Sequence, residues 1–263
     1  MLVSPFLKKL SLLPAKIQRE EFPFTRLPWL HDEFEWTFHS PITIIAGENG
    51  SGKSTLLEAI ARLAGFPAYG GSRDHQLLSG VGSDPLAHAL RASWLPKVTR
   101  GFFFRAESFF NLADYIDRDG NPGAWGGRNL HGQSHGESFL ATFRHRLNSQ
   151  ERAFYILDEP EAALSPQRLR QFIRILDEWQ TSSRTQAIIA THSPIIMGLP
   201  GADLRLINSD GITPCRLRDV PHFRELQGYF DDPDSYYDEA INAPLPEEED
   251  GAEEDDGYDQ SED

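Results

Sequence analysis

The feature that most constrains this chain is an octet, Gly47-Glu48-Asn49-Gly50-Ser51-Gly52-Lys53-Ser54, set between two stretches of different periodicity. Before it lies Ile42-Thr43-Ile44-Ile45-Ala46, a short β-branched run suited to a buried strand. After it, Leu56, Leu57, Ile60 and Leu63 recur at helical spacing as far as Gly65, where a C-terminal cap belongs. Strand, glycine-rich turn and helix form the frame in which G-x-x-x-x-G-K-[ST] cradles phosphate. Glycines let backbone N–H groups approach where a Cβ would clash, and the helix start turns its positive dipole end toward the anion. The Lys53 ammonium is expected at the β- and γ-phosphates and the Ser54 hydroxyl on Mg²⁺. The expected ligand is a nucleoside triphosphate.

A second apolar run, Ala153 to Leu157, ends in Asp158-Glu159. In an open parallel sheet such a strand presents its acids at the C-terminal end, where ligands bind. Asp158 is expected in the Mg²⁺ shell and Glu159 beside the attacking water. A third run, Ala187 to Ala190, leads through Thr191 to His192, which is expected to sense the γ-phosphate. Between them Ser165-Pro166 opens a helix with Leu169, Phe172, Ile173, Leu176 and Trp179 along one side. Phe34 to Phe38, Phe102 to Phe104 and Leu204 to Ile207 read as further strands, Ser83-Asp84-Pro85 as a helix start, and Phe139 to Leu147 as a helix. Strands alternating with helices predict an α/β fold with a mostly parallel central sheet.

Composition limits the alternatives. At 263 residues and 39% hydrophobic the chain can bury a sizeable core. No stretch approaches the roughly 18 apolar residues of a membrane helix, and the N-terminus shows no clear signal-peptide pattern. A cytoplasmic protein is therefore expected. Cys215 stands alone, which excludes an internal disulfide and a cysteine-based zinc site. The net charge of −15 is unevenly placed: residues 1–230 hold 24 acids against 25 Lys and Arg, whereas residues 231–263 hold 16 acids and neither Lys nor Arg. The expected organisation is an ATPase domain over 1–243, with residues 66–130 a helical and loop insertion, followed by a disordered acidic tail over 244–263.

With those residues in place, the chain resembles the ATP-binding-cassette superfamily, in particular its soluble RecF/SMC-like branch. Gln133-Ser134-His135-Gly136-Glu137, 24 residues before Asp158, resembles the L-S-G-G-[QE] signature through Ser134, Gly136 and Glu137, and departs from it at Gln133 and His135. Asp158 to Ser165 resembles the second acidic motif running into the D-loop, with Ser165 where Asp is usual. Ala190-Thr191-His192-Ser193 resembles the switch-histidine strand, and the whole run, including Arg105 to Phe109, is similar to a group of small bacterial ATPases of this class. No Gln follows Phe102–Phe104, so Glu107 or Arg105 takes the place of the Q-loop residue in this reading.

The resemblance implies a P-loop NTPase of the ABC type with an antiparallel N-terminal β part and ATP and Mg²⁺ as ligands. Nucleotide contacts would come from Gly47 through Thr55 and from Ser134, Gly136 and Glu137, metal contacts from Ser54 and Asp158, and catalysis from Lys53, Glu159 and His192. Phe22 or Phe24 is placed to stack on adenine. It also implies a homodimer closed around two ATP, with Ser134 of one subunit facing the γ-phosphate on the other subunit's Lys53. A transporter's nucleotide-binding subunit and a nucleotide-gated module with little turnover stay open as alternatives. So do nucleic acid as a partner and an unknown client protein.

Overall fold

The computed structural model describes residues 3–68, 70–72, 85–106, 151–162 and 164–243. They fall into two compact units, Met1–Arg224 and Glu225–Asp263. The residues called for the signature (Ser134, Gly136, Glu137), Glu107, the helix over Phe139 to Leu147 and the acidic tail over 244–263 lie outside the described residues.

The first unit is built on two sheets. The larger has six strands in the order β5 (Gly101–Arg105), β6 (Ala153–Asp158), β7 (Thr185–Ala190), β3 (Ile42–Ala46), β8 (Asp203–Asn208) and β9 (Gly211–Pro214). All pairings are parallel except β8 with β9. The smaller sheet is antiparallel, with β1 (Leu7–Leu12) between β2 (Glu35–Thr37) and β4 (Leu90–Trp94). A mostly parallel central sheet with an antiparallel N-terminal part is the architecture read from the sequence. The stretch 66–130 contributes a short helix, α2 (Pro85–Ala89), then β4 to the small sheet and β5 to the large one.

The inner strands of the large sheet are apolar on both faces because both are covered. Ile42, Ile44, Tyr155, Leu157, Ala187 and Ile189 face one core, whose helical wall is α3 (Pro166–Ser182) through Phe172, Leu176 and Trp179. Alternate residues Ile45, Phe154, Ile156 and Ile188 face the other, against α1 (Lys53–Ala64) and the small sheet, including Leu7, Leu10 and Trp36. On α3 the structure differs from the expected stripe in one place: Ile175 is buried and Ile173 only partly so. Gly65 closes α1 in the left-handed conformation at φ 88°, its N–H bonded to the carbonyls of Ala61 and Arg62, as expected of a cap.

Register fixes what emerges at the C-terminal edge of this sheet. Asp158 lies opposite Ala190, and Ala190 opposite Ile45, so β6, β7 and β3 end at nearly one level. On the far side of β6, Arg105 is opposite Asp158. The octet, the acid pair and the histidine loop therefore leave adjacent strands side by side.

A short helix, α4 (Pro194–Met197), belongs to the first unit, and the second holds the end of α5 (Pro221–Asp231) and α6 (Pro233–Asn242). Asp232 caps α6 by accepting from the Ser235 N–H at 3.1 Å, with Pro233 at the first helical position. Tyr229, Phe230, Tyr236 and Tyr237 form a ring cluster between the two helices.

Candidate nucleotide site

The octet forms a tight loop between β3 and α1. Gly50 and Gly52 both adopt positive φ, 76° and 88°, and Gly52 is the N-cap of α1. Gly47 is needed for a different reason: a Cβ there would lie 2.8 Å from the backbone oxygen of Ile207 and 2.4 Å from its Cγ2. Only hydrogen lets β8 and the loop approach so closely. Outside the octet, Trp29 braces the loop, its buried indole Nε1–H donating to the Ser51 carbonyl at 2.9 Å. That contact spans 22 residues and has no local sequence signal.

Lys53 is buried and folds back over its own loop, donating to the carbonyls of Gly47 at 2.9 Å and Glu48 at 2.7 Å. Burial pushes its pKa down, while the nearby carboxylates Glu159, Asp158 and Glu161 push the other way. A triphosphate bound at the loop would relieve its desolvation by pairing it.

Asp158 ends β6 as a buried carboxyl. The Ser54 hydroxyl donates to its Oδ1 at 3.2 Å, and Arg105 Nε stands 3.7 Å from its Oδ2. Burial raises its pKa to about 6, against the opposing effects of the Ser54 hydrogen bond and the Arg105 charge. Arg105 also pairs with Glu58 at 2.5 Å. Glu107, the other residue considered for the Q-loop position, lies outside the described residues.

Glu159 follows in the left-handed region at φ 50°, rare for a residue with a Cβ. Its N–H donates to the Ala190 carbonyl at 2.9 Å, tying the start of this loop to the end of β7. Its carboxylate is half exposed and stands 3.7 Å from His192 Nε2. That nitrogen is buried and makes no hydrogen bond. Burial, and then the Lys53 charge, lower the His192 pKa and so favour the uncharged ring. Its other ring neighbour is His222, edge-on at 5.8 Å between centroids.

Of the expected site residues, the structure brings together Lys53, Ser54, Asp158, Glu159 and His192, all at the C-terminal edge of three adjacent strands. The adenine candidates part company: Phe22 is exposed, whereas Phe24 packs partly against the core around α1. Two residues that sequence reading passed over belong to this constellation. Trp29 holds the loop, and Glu161 binds the histidine segment, its Oε1 accepting from the Thr191 hydroxyl and the His192 and Ser193 N–H groups.

The donor set fits Mg²⁺. Ser54 and Asp158 offer hard oxygen donors 3.2 Å apart beside a phosphate-binding loop. Among the described residues no group of three or more His, Cys, Asp or Glu could hold a metal ion. A cation here would thus need oxygens from the nucleotide and water to complete its shell.

Two family models match parts of this chain. An AAA-domain family model matches residues 28–83, which include the octet. A second AAA-domain model, whose description names the AbiEii toxin of a type IV toxin–antitoxin system, matches residues 138–198, which include the acid pair and His192. No curated protein matches. Similar solved structures include the MJ1267 ATP-binding cassette of an ABC transporter (18% identity, 89% of this chain and 99% of that one, TM-score 0.45). They also include cbiO1 from Clostridium perfringens, part of the ABC transporter complex cbiONQ (18%, 90% and 100%, TM-score 0.48). The SMC head domain from Thermotoga maritima is similar too (18%, 80% and 99%, TM-score 0.41). No helix among the described residues is long and apolar enough to cross a membrane.

Proposed function

We propose that this chain, an ABC/SMC-like P-loop ATPase in fold and motif order, binds ATP with Mg²⁺ and hydrolyses it to ADP and phosphate. The observation that carries the reading is the shared strand edge. A phosphate loop, a buried carboxyl, a second carboxylate and an unpartnered imidazole nitrogen all open onto one place. Bound Mg²⁺ would neutralise phosphate charge and be held from the protein side by Ser54 and Asp158.

The chain's own residues divide the remaining work. The loop N–H groups and Lys53 hold the β- and γ-phosphates, and Lys53 answers the negative charge that develops there. Arg105 holds Asp158 from the side opposite Ser54. Glu159 orients the attacking water and accepts its proton, being exposed enough to meet solvent and fixed at its base by the Ala190 carbonyl. His192 donates from its free nitrogen toward the transferred phosphoryl group. ATP binding is proposed to draw two chains together, with Ser134, Gly136 and Glu137 of one completing the site of the other.

Glu159→Gln tests this reading. Its amide keeps the size of the side chain and cannot accept the proton, so turnover should fall about 10²- to 10⁴-fold while ATP affinity stays within a few-fold. Wild-type turnover in that variant would remove Glu159 from the mechanism. No turnover by the wild-type protein, with nucleotide binding intact, would favour a nucleotide-gated module instead.

A further inference from the structure

We propose that Glu161 is the positioning residue that sets His192 against Glu159, an inference that rests on the ATPase reading above. One oxygen of Glu161 gathers three donors from a segment thirty residues on: the Thr191 hydroxyl at 2.6 Å, the His192 N–H at 2.7 Å and the Ser193 N–H at 3.1 Å. Thr191 and Ser193 are themselves buried, and the Thr191 hydroxyl oxygen also accepts from the Ser193 N–H at 3.0 Å. Beyond the ladder bond from the Thr191 N–H to the Ile45 carbonyl at 3.2 Å, the segment bearing the histidine is gathered on this one carboxylate oxygen.

The connection closes a small ring. Glu159 and Glu161 are separated only by Pro160, which restricts the backbone between them. Glu161 fixes the His192 backbone, and the His192 ring comes back to 3.7 Å from Glu159. The ring is pinned at two further points, where Glu159 N–H meets the Ala190 carbonyl and Ala162 N–H meets the Glu159 carbonyl. Any shift of the acid loop is therefore carried to the histidine. The second oxygen, Glu161 Oε2, is buried and makes no hydrogen bond.

The test compares Glu161→Gln and Glu161→Ala by two independent readouts. Glutamine keeps an oxygen for the three donors and should retain turnover within about tenfold of wild type, whereas alanine should lower kcat about 100-fold with KM for ATP changed less than threefold. A purely structural residue would lower the melting temperature with kcat intact, and that outcome would overturn the proposal. The second readout needs no catalysis. The ring resonance of His192, observed by NMR in the full chain, should move when Glu159→Gln is introduced, and should cease to respond to it in the Glu161→Ala background. A wild-type protein without turnover that still shows this loss of coupling would defeat the ATPase reading and leave the positioning role standing. Equal responses in both backgrounds would defeat the positioning role whatever the turnover. Should Glu161→Ala fail to fold, Thr191→Val removes one of the three donor contacts and should weaken the same coupling; an unaltered response there would count against the proposal.

Discussion

At the scale of single residues the candidate site is a set of buried charges that the surrounding protein satisfies only in part. Lys53 spends its hydrogen bonds on two carbonyls of its own loop. Removing it by Lys53→Ala should cost nucleotide binding about 2–3 kcal/mol, or roughly 30- to 160-fold in Kd by calorimetry, the worth of a hydrogen bond to a charged group. Asp158 gives a pH signature. Its pKa of about 6 lies above the usual carboxylate value, so in the nucleotide-free protein its proton stabilises the fold. That contribution is fully present below about pH 4 and is lost as pH rises through about 6. A metal needs the ionised form, so Mg²⁺-nucleotide binding should release a proton near pH 6 and weaken as pH falls below it. Calorimetry in buffers of different ionisation enthalpy should detect this release. Asp158→Asn should remove the part that exceeds the nucleotide's own titration.

At the scale of elements, the legible parts were those whose signal is local. The runs before the octet and before Asp158 read correctly as buried strands because both faces of the large sheet are covered, which makes them uniformly apolar. β1 escaped notice for a physical reason. Its register shifts between Leu7 and Lys9, so the alternation that marks a half-buried strand is broken where Lys8 and Lys9 sit together. Trp29 and Glu161 were invisible because their partners are 22 and about 30 residues away, and no periodicity announces a contact made by folding. The signature reading rests on resemblance alone, since S-x-G-E has no mechanism of its own, and its residues lie outside the described ones. The loop brace makes a prediction at this scale. Trp29→Phe keeps the ring in its core position and removes the indole N–H from the Ser51 carbonyl. It should loosen nucleotide binding by about 1 kcal/mol, roughly fivefold, with little change in melting temperature. Gly47→Ala should do worse, because the Ile207 carbonyl that a Cβ would meet belongs to the backbone of β8 and cannot turn aside.

The whole molecule poses two questions: what joins its sheets, and whether one chain completes its site. Gln186, fully buried in β7, answers the first. Its Oε1 accepts from the Phe6 and Leu7 N–H groups at 2.7 Å each, and its Nε2 donates to the Leu7 carbonyl at 3.1 Å. Gln186→Leu would strand three buried backbone groups and should cost about 3 kcal/mol or more of folding stability, measurable by denaturant unfolding. The second question turns on geometry. Lys53, Ser54, Asp158, Glu159 and His192 all lie at the strand edge of one chain, and Ser134 is proposed to reach a bound nucleotide from a second chain. If so, Ser134→Arg should leave nucleotide binding to the monomer nearly intact, since the Lys53 loop is untouched, and should abolish turnover by blocking closure. A mixture with Lys53→Ala sharpens the test. A heterodimer of these two places both lesions in one composite site and leaves the other with an intact Lys53 and an intact Ser134. Activity regained on mixing two inactive proteins is the expected result. A Ser134→Arg protein that hydrolyses ATP at the wild-type rate would show instead that the strand edge of a single chain suffices.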